Sequence, residues 1–356
     1  MSCSDVRQNE ERDVIQILRA LAIIMVVFHH ASNAVLVPTL INTMVLIANK
    51  IHVVVFFVIS GYLFEKKKEK YATNGFKNFF IRKFRQLMVP YFIFSLAFAL
   101  LINIGLAIPK LDTIVSVFGK GKSTTAMIMD VLLFRNVYFE SLWFVYTLFM
   151  LFMVNYVLVK LTRNKIGGVP LLLLFFCTML FKAYAGNEMW YILNKSITYF
   201  VWFYLGRFLT NKRIDKVCSV WTVSVSALLF FACVFRTYAI NLDTFMNFYV
   251  RAIYIQIEST VITLSAILLL YALAYYLISK QKGEVLCRVG DYSYDIYLIH
   301  NPWLVSTLAV IFEFIAINWM ISLPIITILS IIMSMFVAWF IKKNFRNIYR
   351  TVFGRC

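Results

Sequence analysis

Long apolar runs recur along the chain, and most of them are long enough to cross a bilayer as a helix. A helix rising about 1.5 Å per residue needs roughly 20 apolar residues to span the hydrocarbon core. This pattern predicts ten spans, of which the sixth is short. They are 14–35, 42–64, 87–107, 141–160, 169–185, 196–210, 218–238, 257–279, 292–312 and 321–341. The runs are continuous and do not alternate, which excludes membrane-spanning strands.

Basic residues between the runs set the orientation that we expect. With the N-terminus in the cytoplasm, most of the 35 Lys and Arg residues lie on the cytoplasmic side, eight of them in the loop 65–86. Cytoplasmic loops of membrane proteins carry this excess. The sequence therefore predicts an all-α polytopic membrane protein with about ten transmembrane helices and both termini cytoplasmic. Its predicted parts are a tail 1–13, a transmembrane domain 14–341 and a basic tail 342–356.

Composition supports the membrane class and excludes others. Hydrophobic residues make up 62% of the 356 residues, more than a soluble domain of this size could bury. The net charge of +18 would suggest nucleic acid in a soluble protein, but topology accounts for it here, so we expect lipid and no nucleic acid as partners. The six cysteines lack the spacing of a disulfide framework or a zinc site, and no metal is expected.

The first span carries an unusual set of polar residues, namely Arg19, His29 and His30. An Arg at the centre of a bilayer costs about 2.5 to 3.5 kcal/mol, so such residues indicate function. Eleven positions separate Arg19 from His30, which at about 100° per residue is three turns plus about 20°. Both side chains therefore lie on one helix face, with His29 turned about 100° away. One face thus presents a fixed cation and, about 16 Å along the helix, a titratable base.

All four histidines of the chain, His29, His30, His52 and His300, fall inside predicted spans, near mid-depth. A lone membrane histidine can simply bond to a neighbouring helix, and this interpretation stays open for His29 and His52. For His30 the shared face with Arg19 favours a catalytic role.

Further candidates lie towards the predicted cytoplasmic side. Ser60 and Gly61 occupy about the depth of Arg19, where a glycine permits close approach of a helix or of a ligand. Arg82 and Arg85 are three residues apart and hence neighbours on a helix. Guanidinium groups suit phosphate, although snorkelling to lipid head groups would look the same.

The remaining candidates lie in the fourth, eighth and ninth spans. Tyr294 and His300 share a broad face in GDYSYDIYLIHNPW, where they are candidate substrate-binding residues. Trp143 begins the fourth span, either in an aromatic belt or to stack on a sugar ring. Glu258 is an acid within the eighth span, on one helical face with Arg251. It is a candidate substrate-binding residue, and it is either part of an ion pair or the group that orients a catalytic histidine.

Together these residues resemble the bacterial integral-membrane acyltransferases called acyltransferase family 3, over nearly the whole chain. The resemblance rests on the Arg19 and His30 pair, FFVISGYLF at 56–64, the run of Arg82, Arg85 and Pro90, LWF at 142–144, and SYDIYLIHNPW at 293–303. It implies a multi-pass protein of the bacterial cytoplasmic (inner) membrane that O-acylates glycans, usually from cytoplasmic acetyl-CoA. Arg19 and His30 match the family's essential residues.

The residues and the resemblance lead to one mechanistic hypothesis. Acetyl-CoA, or another acyl-CoA, would bind through its phosphates at Arg82 and Arg85, with its pantetheine arm passing Arg19 and Ser60. Arg19 would act as a partner of the donor or of the oxyanion. His30 would then deprotonate a hydroxyl of a surface or lipid-linked glycan, or, as an alternative, carry the acyl group itself.

Other classes of protein account less well for these residues. A transporter or glycan exporter would also use intramembrane His and Arg, but the chain lacks a clear internal repeat. A haem or metal protein is disfavoured because no His pair has i, i+4 spacing. The other membrane O-acyltransferase superfamily would account for His300 and not for Arg19, and the soluble HxxxxD pattern is absent.

Overall fold

A computed structural model describes residues 3–35, 37–107, 123–134, 140–161, 167–184, 191–210, 219–240 and 247–355. Within these ranges the regular elements are helices, without any strand. The expected all-α polytopic architecture is therefore confirmed.

The α-helices are numbered here in chain order over the described ranges. They are α1 Cys3–Asn33, α2 Thr39–Lys83, α3 Val89–Ala107, α4 Thr124–Leu132, α5 Trp143–Leu161, α6 Gly168–Tyr184, α7 Tyr191–Thr210, α8 Val220–Ala239, α9 Phe248–Ser279, α10 Glu284–Asp291, α11 Ser293–Ile299, α12 Val305–Phe314, α13 Trp319–Asn344 and α14 Arg346–Val352. Two π-helical turns, Phe84–Met88 and His300–Leu304, and a 3₁₀ turn, Glu140–Leu142, join neighbouring helices.

Seven helices within the described ranges are long and apolar enough to cross a membrane. They are Asn9–Asn33, Thr39–Gly105, Trp143–Leu161, Val220–Ala239, Val250–Ser279, Ser293–Phe314 and Trp319–Asn344. They correspond to eight predicted spans, because Thr39–Gly105 includes both 42–64 and 87–107. The spans 169–185 and 196–210 fall on the shorter apolar helix Gly168–Lys182 and on α7. The count of ten, the sides of the termini and the division into a domain and two tails stay predictions.

The segment Thr39–Gly105 contains two breaks that divide it into two spans. Its 67 residues would form a helix of about 100 Å, far longer than a bilayer core of about 30 Å. Gly75 leaves the helical region, with φ of 75° and ψ of 162°, a conformation that glycine adopts without strain. Farther along, Pro90 lacks the amide hydrogen that would bond to the carbonyl oxygen of Gln86, and the chain forms a π-helical turn there. Gly75 lies inside the predicted loop 65–86.

The chain folds into two compact units, and α1 is the central element of the first. This unit comprises Met1–Lys66, Ile166–Gly186 and Val201–Ala338. Helix α1 packs against α9, α10, α11 and α12. Ala22 of α1 is fully buried in an apolar cluster with Ile51 of α2 and Ile262 of α9. At Gly290, any side chain would collide with the Gln16 carbonyl, so α10 lies directly on the backbone of α1.

Helices α2 and α7 cross at two glycines in the same unit. A Cβ on Gly61 would lie 2.0 Å from the carbonyl oxygen of Phe203, and one on Gly206 would lie 2.0 Å from that of Val58. Near this crossing, Arg207 Nε donates to Glu65 Oε2 at 2.9 Å, and both side chains are buried. The pair satisfies two charges that would be costly alone in apolar surroundings.

The second unit comprises Lys67–Lys165, Asn187–Phe200 and Trp339–Cys356. Its interior is largely aromatic. The hydroxyl of Tyr91 donates to the carbonyl oxygen of Val131 at 2.9 Å, and Phe353 packs edge-on against Phe94. Lys83 is buried with its Nζ 3.7 Å from the ring centroid of Phe152, a cation–π contact that compensates for lost hydration.

The helix crossing predicts that Gly206→Ala destabilises the protein by about 1 to 3 kcal/mol, because its methyl group must push α2 away from α7. The midpoint of thermal unfolding in detergent should fall by several degrees. Gly168→Ala is the matched control, since a Cβ there meets only the Phe208 ring at 3.9 Å. Equal unfolding midpoints for the two variants would contradict the close crossing.

Candidate active site

The first helix presents Arg19 and His30 as the spacing predicts. Both residues are partly exposed, while Ile23 and Val27, which lie between them on the same side of the helix, are buried against the protein. Eleven residues of continuous α-helix separate Arg19 from His30, which places them on one face with about 16 Å between their Cα atoms. The guanidinium and the imidazole therefore occupy different depths along the same helix face.

The four histidines of the chain form one continuous line of rings, which we call the imidazole row. Ring centroids are 5.3 Å apart for His52 and His29, for His29 and His30, and for His30 and His300. The row crosses from α2 through α1 to the π-helical turn after α11. His52 and His300 are buried, while His29 and His30 are partly exposed. His30 therefore sits within the row with an accessible edge.

His29 takes a place in the row that the sequence did not predict. It is turned about 100° from His30 on α1, and its ring is the link between His30 and His52. Its Nε2 accepts a hydrogen bond from the Asn33 amide at 3.3 Å. Helical periodicity gives the directions of side chains on one helix, and contact with His52 depends on how α2 packs.

Arg19 is positioned by two residues that were not predicted as part of the site. Its Nη1 donates to Oε1 of Gln16 at 3.3 Å, and Gln16 Nε2 donates to Oδ1 of Asp291 at 2.8 Å. Gln16 precedes Arg19 by three residues, so this chain of bonds lies on the side of Arg19 away from His30. The i, i+3 spacing of Gln16 and Arg19 was a usable signal, whereas the contact with Asp291 requires the packing of α10.

Ser60 and Gly61 lie on α2, eight and nine residues after His52. Ser60 is partly exposed, and Gly61 is buried against the α7 backbone. The need for close packing explains a glycine at position 61. Their predicted part in binding the acyl donor stays a prediction.

Tyr294 and Glu258 have different surroundings in the first unit. Tyr294 is partly exposed on α11, six residues before His300. Glu258 is buried on α9 and forms an ion pair with Arg236 of α8. This pair gives Glu258 a structural function, and its predicted part in substrate binding stays a prediction.

Arg82, Arg85 and Trp143 belong to the second unit. Both arginines are exposed, on either side of the buried Lys83. Trp143 is partly exposed, with its ring stacked on Tyr199 at 5.1 Å and Lys195 Nζ 4.7 Å from its centroid. Binding of phosphate by the arginines and of sugar by Trp143 are untested predictions.

Among the described residues, no group of three or more His, Cys, Asp and Glu side chains could hold a metal ion.

Comparison with known proteins identifies a family model, described as an acyltransferase domain, which matches residues 12–343. This range covers nearly the whole chain and includes Arg19 and the entire imidazole row. No curated protein and no solved structure matches the sequence.

The burial of the imidazole row predicts the order in which its members react with diethyl pyrocarbonate, which acylates accessible imidazole nitrogens. His29 and His30 should be modified first, and His52 and His300 at least about tenfold more slowly, because their side chains are almost completely enclosed. Peptide mass spectrometry after short exposures in detergent measures the four rates. Modification of His300 as fast as His30 would contradict the described packing.

Proposed function

Because the chain belongs to this family of membrane-embedded acyltransferases, we propose that it transfers an acetyl group from cytoplasmic acetyl-CoA to a hydroxyl of a cell-surface or lipid-linked glycan. It would act in the bacterial cytoplasmic (inner) membrane as an O-acetyltransferase, an enzyme that transfers acyl groups other than aminoacyl groups. The observation that carries this proposal is the placement of His30, a partly exposed imidazole on the face of α1 that also carries Arg19.

His30 is proposed as the general base. Acyl transfer to an alcohol requires a group that removes the hydroxyl proton as the oxygen attacks, and a neutral imidazole is the side chain most often used for this. The accessible edge of His30 supports this assignment, because a buried ring could not reach a substrate. The packed rings of His29 and His300 hold the imidazole in place, which supports a fixed angle of attack.

Arg19 is proposed as a partner of the acyl donor rather than of the reacting carbonyl. The two residues are about 16 Å apart along the helix, and Arg19 Nη1 bonds to Gln16, which lies on the side of Arg19 away from His30. An oxyanion ligand must lie about 3 Å from the reacting oxygen, which this geometry disfavours. A long donor fits better, with its polar arm at Arg19 and its thioester beside His30. Guanidinium groups are well suited to phosphate and carbonyl oxygens.

The proposed step balances without an added reagent. The acceptor hydroxyl gives its proton to His30 while its oxygen attacks the thioester carbonyl. The new carbon–oxygen bond forms and the carbon–sulfur bond breaks. The coenzyme A thiolate then leaves and recovers the proton from the His30 imidazolium. The products are an acetyl ester of the glycan and free coenzyme A, and His30 returns to its starting state.

We expect His30→Ala to lower acetyl transfer by about 10²- to 10⁴-fold, the range that a positioned general base contributes. Membranes containing the protein receive isotope-labelled acetyl-CoA, and mass spectrometry of the glycans measures the acetyl ester. Size-exclusion chromatography of the detergent-solubilised variant checks its folding. A well-folded His30→Ala variant with wild-type transfer would refute the proposed base. Glycan that crosses the membrane without any acetylation would instead support an exporter.

For Arg19 the expected change lies in donor binding. Arg19→Ala should raise the KM for acetyl-CoA by at least about tenfold, which corresponds to a loss of about 1.4 kcal/mol of donor binding. Arg12→Ala is the matched control, since Arg12 is an exposed arginine on the same helix, one turn before Gln16. A fall in kcat at unchanged KM in Arg19→Ala would contradict a function in donor binding.

A further inference from the structure

His300 has one nitrogen committed to the protein backbone. Its Nδ1 lies 2.9 Å from the carbonyl oxygen of Ile296 and 2.9 Å from that of Tyr297. A carbonyl oxygen only accepts hydrogen bonds, so Nδ1 must be the nitrogen that carries the hydrogen. A neutral imidazole has a single N–H group, which leaves Nε2 of His300 as a bare acceptor.

This acceptor is enclosed in the structure. The His300 side chain is 0% exposed, and Nε2 has no hydrogen-bond partner among the described residues. A buried acceptor without a partner is costly by about 1 to 3 kcal/mol, so such an atom is a place where a donor is expected. The ring of His30 lies beside it, 5.3 Å away between centroids and inclined by 56°. Because the Nδ1 bonds hold the His300 ring, rotation of the His30 ring is what would bring one of its nitrogens to hydrogen-bond distance of Nε2, about 3 Å.

His29, the other ring in contact with His30, cannot offer the same acceptor. The Asn33 amide nitrogen donates to its Nε2, so a neutral His29 carries its hydrogen on Nδ1. That Nδ1 is also buried and has no hydrogen-bond partner within the described ranges. A neutral His29 therefore has a donor at Nδ1, whereas His300 has an acceptor at Nε2. Of the two rings beside His30, His300 is therefore the one whose bare nitrogen can accept the N–H of His30.

We infer that His300 is a positioning residue whose Nε2 accepts the N–H of His30 and thereby selects the tautomer of His30 that leaves its other nitrogen bare for the substrate. The inference rests on the proposed function of His30 as the base. When His30 takes the hydroxyl proton, the same acceptor stabilises the imidazolium that forms. The arrangement performs the task of the aspartate in a serine protease triad with a neutral imidazole in place of a carboxylate.

The chain is well suited to a direct measurement of this tautomer, because it contains only four histidines. Protein labelled with ¹⁵N-histidine and purified through a tag free of histidine should give four imidazole spin systems by solid-state NMR in lipid. The chemical shifts distinguish protonated from bare nitrogens, and His30→Ala and His300→Asn identify their own signals. We expect His300 protonated at Nδ1 and His30 in a single tautomer.

Two substitutions at position 300 separate hydrogen bonding from packing. His300→Asn keeps a donor near the position of Nδ1 and removes the acceptor at Nε2, so His30 should become a mixture of tautomers. His300→Gln places an amide oxygen near the position of Nε2, so the single tautomer of His30 should persist. His52→Asn is the matched control, because it removes a buried imidazole of the row whose ring packs against His29. An unchanged His30 tautomer in His300→Asn would overturn the inference.

Activity gives an independent readout of the same inference. In His300→Asn, kcat should fall by about 100-fold or more at unchanged KM for acetyl-CoA, and His300→Gln should recover most of it. In a His30→Ala background, His300→Asn should cost nothing further, since it acts through His30. Equal losses in the Asn and Gln variants, or additive losses with His30→Ala, would contradict positioning. The NMR measurement needs no turnover. If the wild-type protein shows the predicted tautomers but no acetyl transfer, that result refutes the proposed reaction and not the selection of the His30 tautomer by His300.

Discussion

A polar group within an apolar protein interior is costly unless the protein gives it a partner, and this constraint governs the environment of α1. Water is scarce in such surroundings, and each polar atom without a partner costs several kcal/mol in hydrocarbon. Arg19 is therefore held by Gln16, which is held in turn by Asp291 of α10. The imidazoles of α1 are lined on both sides by imidazoles from other elements. The packing of α1 against α9, α10, α11 and α12 is what brings these partners within reach.

The same packing determines what the helix can do. Arg19 is tied to its N-terminal side, towards Gln16, whereas His30 is embedded among rings three turns later. The guanidinium and the imidazole are thus kept apart. This separation fits the proposed function, in which Arg19 binds the polar arm of an elongated donor and His30 lies beside the reacting bond. The close approach of α10 at Gly290 holds Asp291 near Gln16 and Arg19, and the π-helical turn places His300 beside His30.

Sequence reasoning predicted the parts of the site that depend on a single helix. The spacing of Arg19 and His30 was enough to place them on one face, and the length of the apolar runs was enough to predict a helical membrane protein. The parts that depend on the packing of neighbouring helices could not be predicted from the sequence. Contact of His29 with His52 and the pairing of Glu258 with Arg236 join residues from different helices. Gly61 is a further example. Its lack of a side chain permits close approach, but the sequence does not decide whether a helix or a ligand is the group that approaches.

The acyl donor is proposed to reach both Arg19 and His30 of α1. The most direct measurement is an electron cryomicroscopy map of the protein in lipid nanodiscs with an acetyl-CoA analogue whose thioester sulfur is replaced by a methylene group. The account predicts ligand density with the acetyl carbonyl beside the His30 ring and the pantetheine arm extending to Arg19. Density for the acetyl group away from the imidazole row, with His30 contacting only protein, would contradict it.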